Sequence, residues 1–259
     1  MASIRLLIGY HGKNYHGWQI QGQVPTVEEA ITYAVEKMTG QRVKVRGSSR
    51  TDAGVHAMGQ VACFDEVVER SLEAWYGGLN RWSNLDISIH AVQRVSDEFH
   101  PRHDSRGKVY TYRISTAPLR DPMTDDQAWQ LKRPLDLPAM RAAATYLIGE
   151  MDFSSFRAVN CDANSPIRRI RKVLIEQESR HIVKITVEGS AFLKYMVRNL
   201  VGTLVWVGTG ARPADWVADV IEARDRQAAG QTAPAHGLTL EHILYPKDPW
   251  VDYVGNLPE

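Results

Sequence analysis

Cysteine is scarce in this chain. Cys63 and Cys161 are the only two, far apart and with no CxxC partner. That argues against a disulfide framework and a zinc site, and suits a reducing cytoplasm. Long apolar runs are also missing. "MASIRLLIGYHG" breaks at His11 and Gly12, too early for a signal h-region with a cleavage site, and nothing approaches the roughly 20 apolar residues that span a bilayer. Charge of one sign is lacking too. The net charge is +1, and dividing the chain after Asp104 leaves −1 and +2, so any polyanion contact must come from local clustering. No Gly-rich phosphate loop is present: "GTGARPAD" has no Lys and follows a helical pattern. His11 with His16, and His100 with His103, lie in loops without Cys or acidic partners, which argues against a metal site. Ser48 and Ser49 have no nucleophile-elbow context.

What is present is an ordinary globular composition, 44% hydrophobic and 24% charged over 259 residues, enough for one large or two medium domains. "IRLLIGY" reads as a buried strand. "TVEEAITYAVEKMTG" reads as a helix opened by a Thr26/Glu29 capping box. "RVKVRG" and "GQVACF" read as strands, "SLEAWYGGLNRW" as a weaker helix and "DISIHAVQRV" as a strand. The second half repeats this β-α-β-β-α-β order. "KVYTYRIS" is a strand, and a helix starts near Asp136. "IRRIRKVLIEQE" and "RHIVKITVEG" form a hairpin. A long helix begins near Phe192, a further helix has Pro213 near its first turn, and "LTLEHILY" closes the set. The expected fold class is α/β (α+β), two tandem ferredoxin-like domains with mainly antiparallel sheets, spanning 1–104 and 105–259. Each sheet is expected to carry helices on one face and leave the other free.

Free sheet faces of this topology can stack RNA bases, so a non-catalytic tandem RNA-binding module is one reading. Tyr110 and Tyr112 fall on one side of their strand, but no basic-aromatic RNP1 pattern accompanies them, and cross-strand packing explains Tyr112. The best basic cluster is "IRRIRK". Strand alternation puts Arg169 and Arg171 on one face and Arg168 and Lys172 on the other; from charge alone this is a solvated edge strand. In "RGSSRTDAGVHAMGQVACF", Asp52 sits between Arg50 and His56 in a loop of small residues, where Gly54 permits a sharp turn. Those residues fit either a structural Asp–Arg turn pair or a carboxylate presented to a pocket.

"SRTDAGVHA" closely resembles the catalytic motif of the tRNA pseudouridine synthase A (TruA) family. The likeness runs through "YHGKNYHGWQIQ", "FHPRHDSRGKVYTYRI", "DFSSFRA", "SPIRRI", "FLKYMVRNLVGTL" and "APAHGLTLEHILYP", nearly the whole chain. It implies two α/β domains joined through their sheets into one extended sheet, helices on one side and an RNA-binding cleft on the other. It implies an isomerase that makes pseudouridine at positions 38, 39 and 40 of the tRNA anticodon stem-loop, a cytoplasmic homodimer without cofactor, metal or membrane; a paralogous synthase with another RNA target is the alternative. By the same resemblance Asp52 is the nucleophile, paired with Arg198. Arg50 fills the space of the flipped base, and Tyr110 stacks on the uracil and can move a proton. His56 fixes the loop or touches RNA, and Arg168, Arg169, Arg171 and Lys172 shift towards phosphate contact. One departure stands out: the family has a small residue and Gly before the Arg, where this chain has Ser48 and Ser49.

Overall fold

Thr26 opens the first helix as its spacing predicts, its hydroxyl accepting the Glu29 N–H at 3.4 Å. The computed structural model describes residues 2–246 and 250–258. Along them run β1 (Ala2–Tyr10), α1 (Val27–Thr39), β2 (Arg46–Gly47), β3 (His56–Asp65), α2 (Leu72–Trp82) and β4 (Ile87–Ser96). There follow β5 (Gly107–Ser115), β6 (Trp129–Gln130), α3 (Leu137–Thr145), β7 (Gly149–Asp152), β8 (Ile167–Gln177) and β9 (Ile182–Gly189). α4 (Met196–Gly208), α5 (Trp216–Ala223), β10 (Leu238–Leu244) and β11 (Tyr253–Gly255) complete the set. The expected β-α-β-β-α-β order holds in the first half, while β6, β7 and β11 are short additions. The chain packs as two compact units. One holds the residues up to Arg106 together with those from Leu240 onward; the other is Gly107–Thr239. The sequence halves put everything after 104 in the second domain, so the return of Leu240 onward to the first unit is the difference.

In the first unit β1 runs between β3 and β4, antiparallel to both, with Leu6 opposite Ala62 and Val92. β2 and β10 flank β3, and β11 flanks β4. Ile4, Leu6 and Ile8 are fully buried. Phe64, paired with Ile4, meets Trp75 of α2 edge-on at 5.1 Å. The opposite face was expected to be free and is not. Leu7, Val61 and Ala91 form a cluster covered by Phe99, Ile243, Tyr245, Trp250 and Tyr253. Arg5 lies on this face, 1% exposed. Its guanidinium stands 4.2, 4.6 and 5.0 Å from the ring centres of Trp250, Tyr245 and Phe99. Three π faces and the Gln93 amide oxygen at 3.4 Å replace water around the charge. Burying a cation and an apolar strip requires a cover, and the residues after Leu240 supply it.

In the second unit the strand order is β5-β9-β8-β7, with β6 parallel on β5. The expected hairpin is β8–β9. Tyr110, Tyr112 and Ile114 pair with Val187, Ile185 and Val183, all buried, so both tyrosines lie on one side of β5 beside buried cross-strand neighbours. Asp136 caps α3 by accepting the Ala139 N–H at 2.9 Å. α4 starts later than the pattern suggests, because Tyr195 adopts φ +64° and interrupts the helix before Met196.

Candidate functional site

The loop holding Asp52 leaves β2 and enters β3. Val55 donates its N–H to the Asp52 carbonyl at 3.1 Å, closing a four-residue turn, and Gly54 takes φ +79° at its third position. A side chain there would be strained, which is why glycine occupies it. The loop is pinned from the segment after β1. Trp18 donates its N–H to the Thr51 carbonyl at 3.1 Å, and Gly54 donates to the Tyr15 carbonyl at 3.2 Å. The hydroxyls of Tyr10 and Thr51 bond at 2.7 Å. Gly17 has φ +90°, and a Cβ there would lie 2.4 Å from the Thr51 carbonyl oxygen, so only glycine lets the two segments meet. Tyr15 is itself anchored through its hydroxyl to Asp86. Burial first, then that carboxylate, push its pKa up to about 12.

From the strand side, the fully buried Gln60 clamps the loop's first residues. Its amide oxygen accepts from Ser49 N–H at 3.2 Å, and its amide nitrogen donates to the Ser49 carbonyl at 2.7 Å. Ser48 donates its N–H to the Val61 carbonyl at 2.8 Å. Neither serine is among the positive-φ residues, so the departure from glycine strains nothing. Asp52 is half-buried and Arg50 exposed. His56 is buried, its Nδ1 accepts the Gly12 N–H at 3.0 Å, and its ring lies 4.3 Å from that of His11. It fixes the base of the loop. The supports Tyr10, Trp18 and Gln60 escaped sequence reasoning; a lone amide inside "GQVACF" was the available signal for Gln60.

Tyr110 and Arg198 belong to the second unit. The Tyr110 ring is buried and meets Phe192 edge-on at 5.4 Å. Arg198 is half-buried in the first turn of α4. Its Nε donates to the Ala233 carbonyl at 2.8 Å, its own carbonyl accepts the Ala233 N–H at 3.1 Å, and its guanidinium lies 4.7 Å from the Tyr195 ring centre. Next to it Tyr112 donates its hydroxyl to the Pro234 carbonyl at 2.8 Å. Burial raises the Tyr112 pKa, with the Arg198 charge opposing.

The basic run on β8 departs from simple alternation. Pairing steps from Ile170 opposite Gly189 to Lys172 opposite Glu188, so Arg171 is the extra residue of a bulge. The two-face assignment of Arg168 with Lys172 and Arg169 with Arg171 therefore fails beyond Ile170. Arg168 turns back to the carbonyls of Ser165 and Ile167 at 2.9 and 2.6 Å. Arg169 pairs with Glu150 at 3.2 Å and Arg171 with Glu188 at 3.6 Å, while Lys172 is exposed.

A family model described as tRNA pseudouridine synthase matches residues 6–104 and 143–246. A tRNA pseudouridine synthase A of Myxococcus xanthus is 45% identical over 249 residues, covering 96% of this chain and 94% of the relative. The protein of that name in Pseudomonas aeruginosa is 42% identical over 247 residues, covering 95% and 86%. Among solved structures, an H/ACA RNP bound to a substrate RNA containing 2'-deoxyuridine aligns with 88% of this chain and 59% of that chain, at 11% identity and a TM-score of 0.39. So distant a likeness carries no weight for the reaction or its substrate.

Proposed function

Because the chain belongs to the tRNA pseudouridine synthase family, we propose that it is an isomerase converting uridine to pseudouridine at positions 38, 39 and 40 of the tRNA anticodon stem-loop. The observation that carries the reading is the Asp52 turn, built on Gly54 and pinned by Trp18, Tyr15 and Gln60. A structural Asp–Arg pair does not call for so many restraints on one carboxylate-bearing turn. The reaction breaks the N1–C1′ bond, rotates the uracil and joins C5 to C1′. C5 loses its proton and N1 ends protonated, so no redox partner, phosphate donor or metal is required.

Asp52 is the nucleophile, and its ionised form must persist in an enclosed site. Arg198 is assigned as its partner; a neighbouring cation lowers an Asp pKa by about 1–3 units. The target base leaves its stack at a cost of a few kcal/mol, and Arg50 takes the vacated place with its flat guanidinium. Tyr110 stacks on the uracil and relays the proton. Arg168, Arg169, Arg171 and Lys172 meet phosphates, and His56 holds the loop to which RNA docks. The enzyme acts as a cytoplasmic homodimer. No helix among the described residues is long and apolar enough to cross a membrane.

The test is tritium release from tRNA labelled at uridine C5, followed by mapping of the modified positions. Wild type should release tritium with modification at 38–40. Asp52→Asn, nearly isosteric, should bind tRNA yet release none. Appreciable pseudouridine from the purified variant would remove Asp52 from the chemistry, and modification elsewhere would reassign the target.

A further inference from the structure

The second unit has a surface cavity of about 300 Å³ bordered by Ser154, Arg157, Val159, Arg224, Asp225 and Arg226. Three arginines border one small space, with one acid, Asp225, in the lining. Asp225 accepts the Gln227 N–H at 2.9 Å. Asp152 accepts the Ser154 N–H at 2.8 Å and stands 3.7 Å from Arg224. Burial tends to raise the Asp152 carboxyl, but Ser154 and the charges of Arg224 and Arg157 hold it below the usual carboxylate range.

The arginines are held in different ways. Arg226 is half-buried and donates only to neutral oxygens: Asn199 Oδ1 at 3.1 Å, Thr232 Oγ1 at 3.0 Å and the Ala229 carbonyl at 3.4 Å. Those bonds fix its geometry without cancelling its charge. The Arg157 guanidinium makes no hydrogen bond to another described residue, although its charge reaches Asp152. Arg224 ends α5 with φ +49°, a left-handed position that glycine usually fills. The chain keeps a long cation there instead, with 70% of its side chain exposed. Buried Asn199 ties this cavity to α4, since its amide donates to the Phe156 carbonyl at 2.8 Å while its oxygen receives Arg226.

We propose that this cavity is a phosphate-binding site and that its occupant is a backbone phosphodiester of the bound tRNA. A phosphate suits three cations of which one is anchored by neutral groups and two can close on the oxygens. The proposal rests on the reading of this protein as a tRNA-modifying enzyme. It is separate from the basic run on β8, two of whose arginines already face carboxylates.

The experiment compares wild type with R157A/R224A, leaving Arg226 to hold Asn199. tRNA affinity is measured from 50 to 300 mM salt, with tritium release by wild type run alongside. The variant should bind more weakly, and its slope of log affinity against log salt should fall by about 0.7–0.9, the loss of one phosphate contact. R157K/R224K, which keeps both charges, should retain the slope. If the double substitution lowers the urea midpoint, Arg224→Gly, which suits the left-handed backbone, carries the same expectation. In a second arm, inorganic phosphate is titrated against thermal unfolding. Phosphate that stabilises wild type but not the variant, with an unchanged tRNA slope, would overturn the RNA assignment in favour of a free anion. Unchanged affinity and slope with no phosphate effect would overturn the site itself while wild-type tritium release leaves the enzymatic reading standing. Failure of wild type to bind tRNA would overturn both.

Discussion

Gln60→Leu isolates the contribution of one buried amide to the Asp52 loop. Leucine nearly fills the same volume, so the cavity term is small. What changes is polar: the Ser49 N–H loses a bond of 3.2 Å and its carbonyl one of 2.7 Å, in a residue only 7% exposed, and the Val61 N–H loses one of 3.2 Å. A buried polar group left unmet costs about 1–3 kcal/mol. Three backbone groups lose a bond to the amide, and with relief from their other partners, water or loop movement the expected loss is about 2–4 kcal/mol. The loop relieves it by shifting, and Asp52 lies three residues on. A displacement of about 1 Å at a reacting group can cost 10²-fold in rate, so single-turnover tritium release should fall by about 10–100-fold. Urea unfolding measures the first quantity and rapid-quench kinetics with saturating tRNA the second. A loss under about 0.5 kcal/mol with a wild-type rate would refute the argument that Gln60 holds the loop.

If Arg198 is the partner of Asp52, as proposed, Arg198→Met should move the acidic limb of the single-turnover rate up in pH; an unmoved limb with weakened tRNA affinity would assign Arg198 to a phosphate instead. Acid stability should report Glu66. Its carboxylate accepts two bonds from Arg94, each 2.7 Å, and one from the Trp75 indole at 3.0 Å. Arg94 first, with burial opposing, holds its pKa below the ordinary value. The pKa is depressed on folding, so the stabilisation is present above the unfolded value of about 4.3 and is lost as pH falls through the folded one. Arg94→Ala should therefore lower the urea midpoint at neutrality, with the difference from wild type shrinking below about pH 4; a constant difference would discount the pairing.

Local signals carried the elements well. Thr26 and Asp136 cap helices where the sequence places them, because a cap is chosen by residues three apart. Tertiary choices were less visible. Of "RVKVRG" only Arg46 and Gly47 pair as a strand, although Val43 and Val45 are buried: apolar side chains can pack without a backbone ladder. The bulge at Arg171 is a property of register with β9, and no period within β8 announces it. The position of Asp52 before a strand was legible from Gly54 and the small residues around it. The restraints on it were not, since Trp18 and Gln60 act from segments whose pairing only the fold creates. Asn199 was hidden for the same reason, as a polar residue within an apolar helix whose partners lie in other segments.

The cover over Arg5 has a consequence for synthesis. β1, β3 and β4 emerge from the ribosome early, but Tyr245 and Trp250 emerge only after the whole of Gly107–Thr239. At 5–20 residues per second, the interval is on the order of ten seconds. Throughout it the nascent first unit has Gln93 and Phe99 beside the Arg5 guanidinium but lacks the rings of Tyr245 and Trp250, and its apolar strip and sheet edges await the residues after Leu240, β10 and β11. The second unit is contiguous in sequence. The Asp52 loop is thus translated early and its supporting sheet is completed late, so a ribosome stalled within the second unit would display a nascent chain with that loop made and its sheet face still incompletely covered.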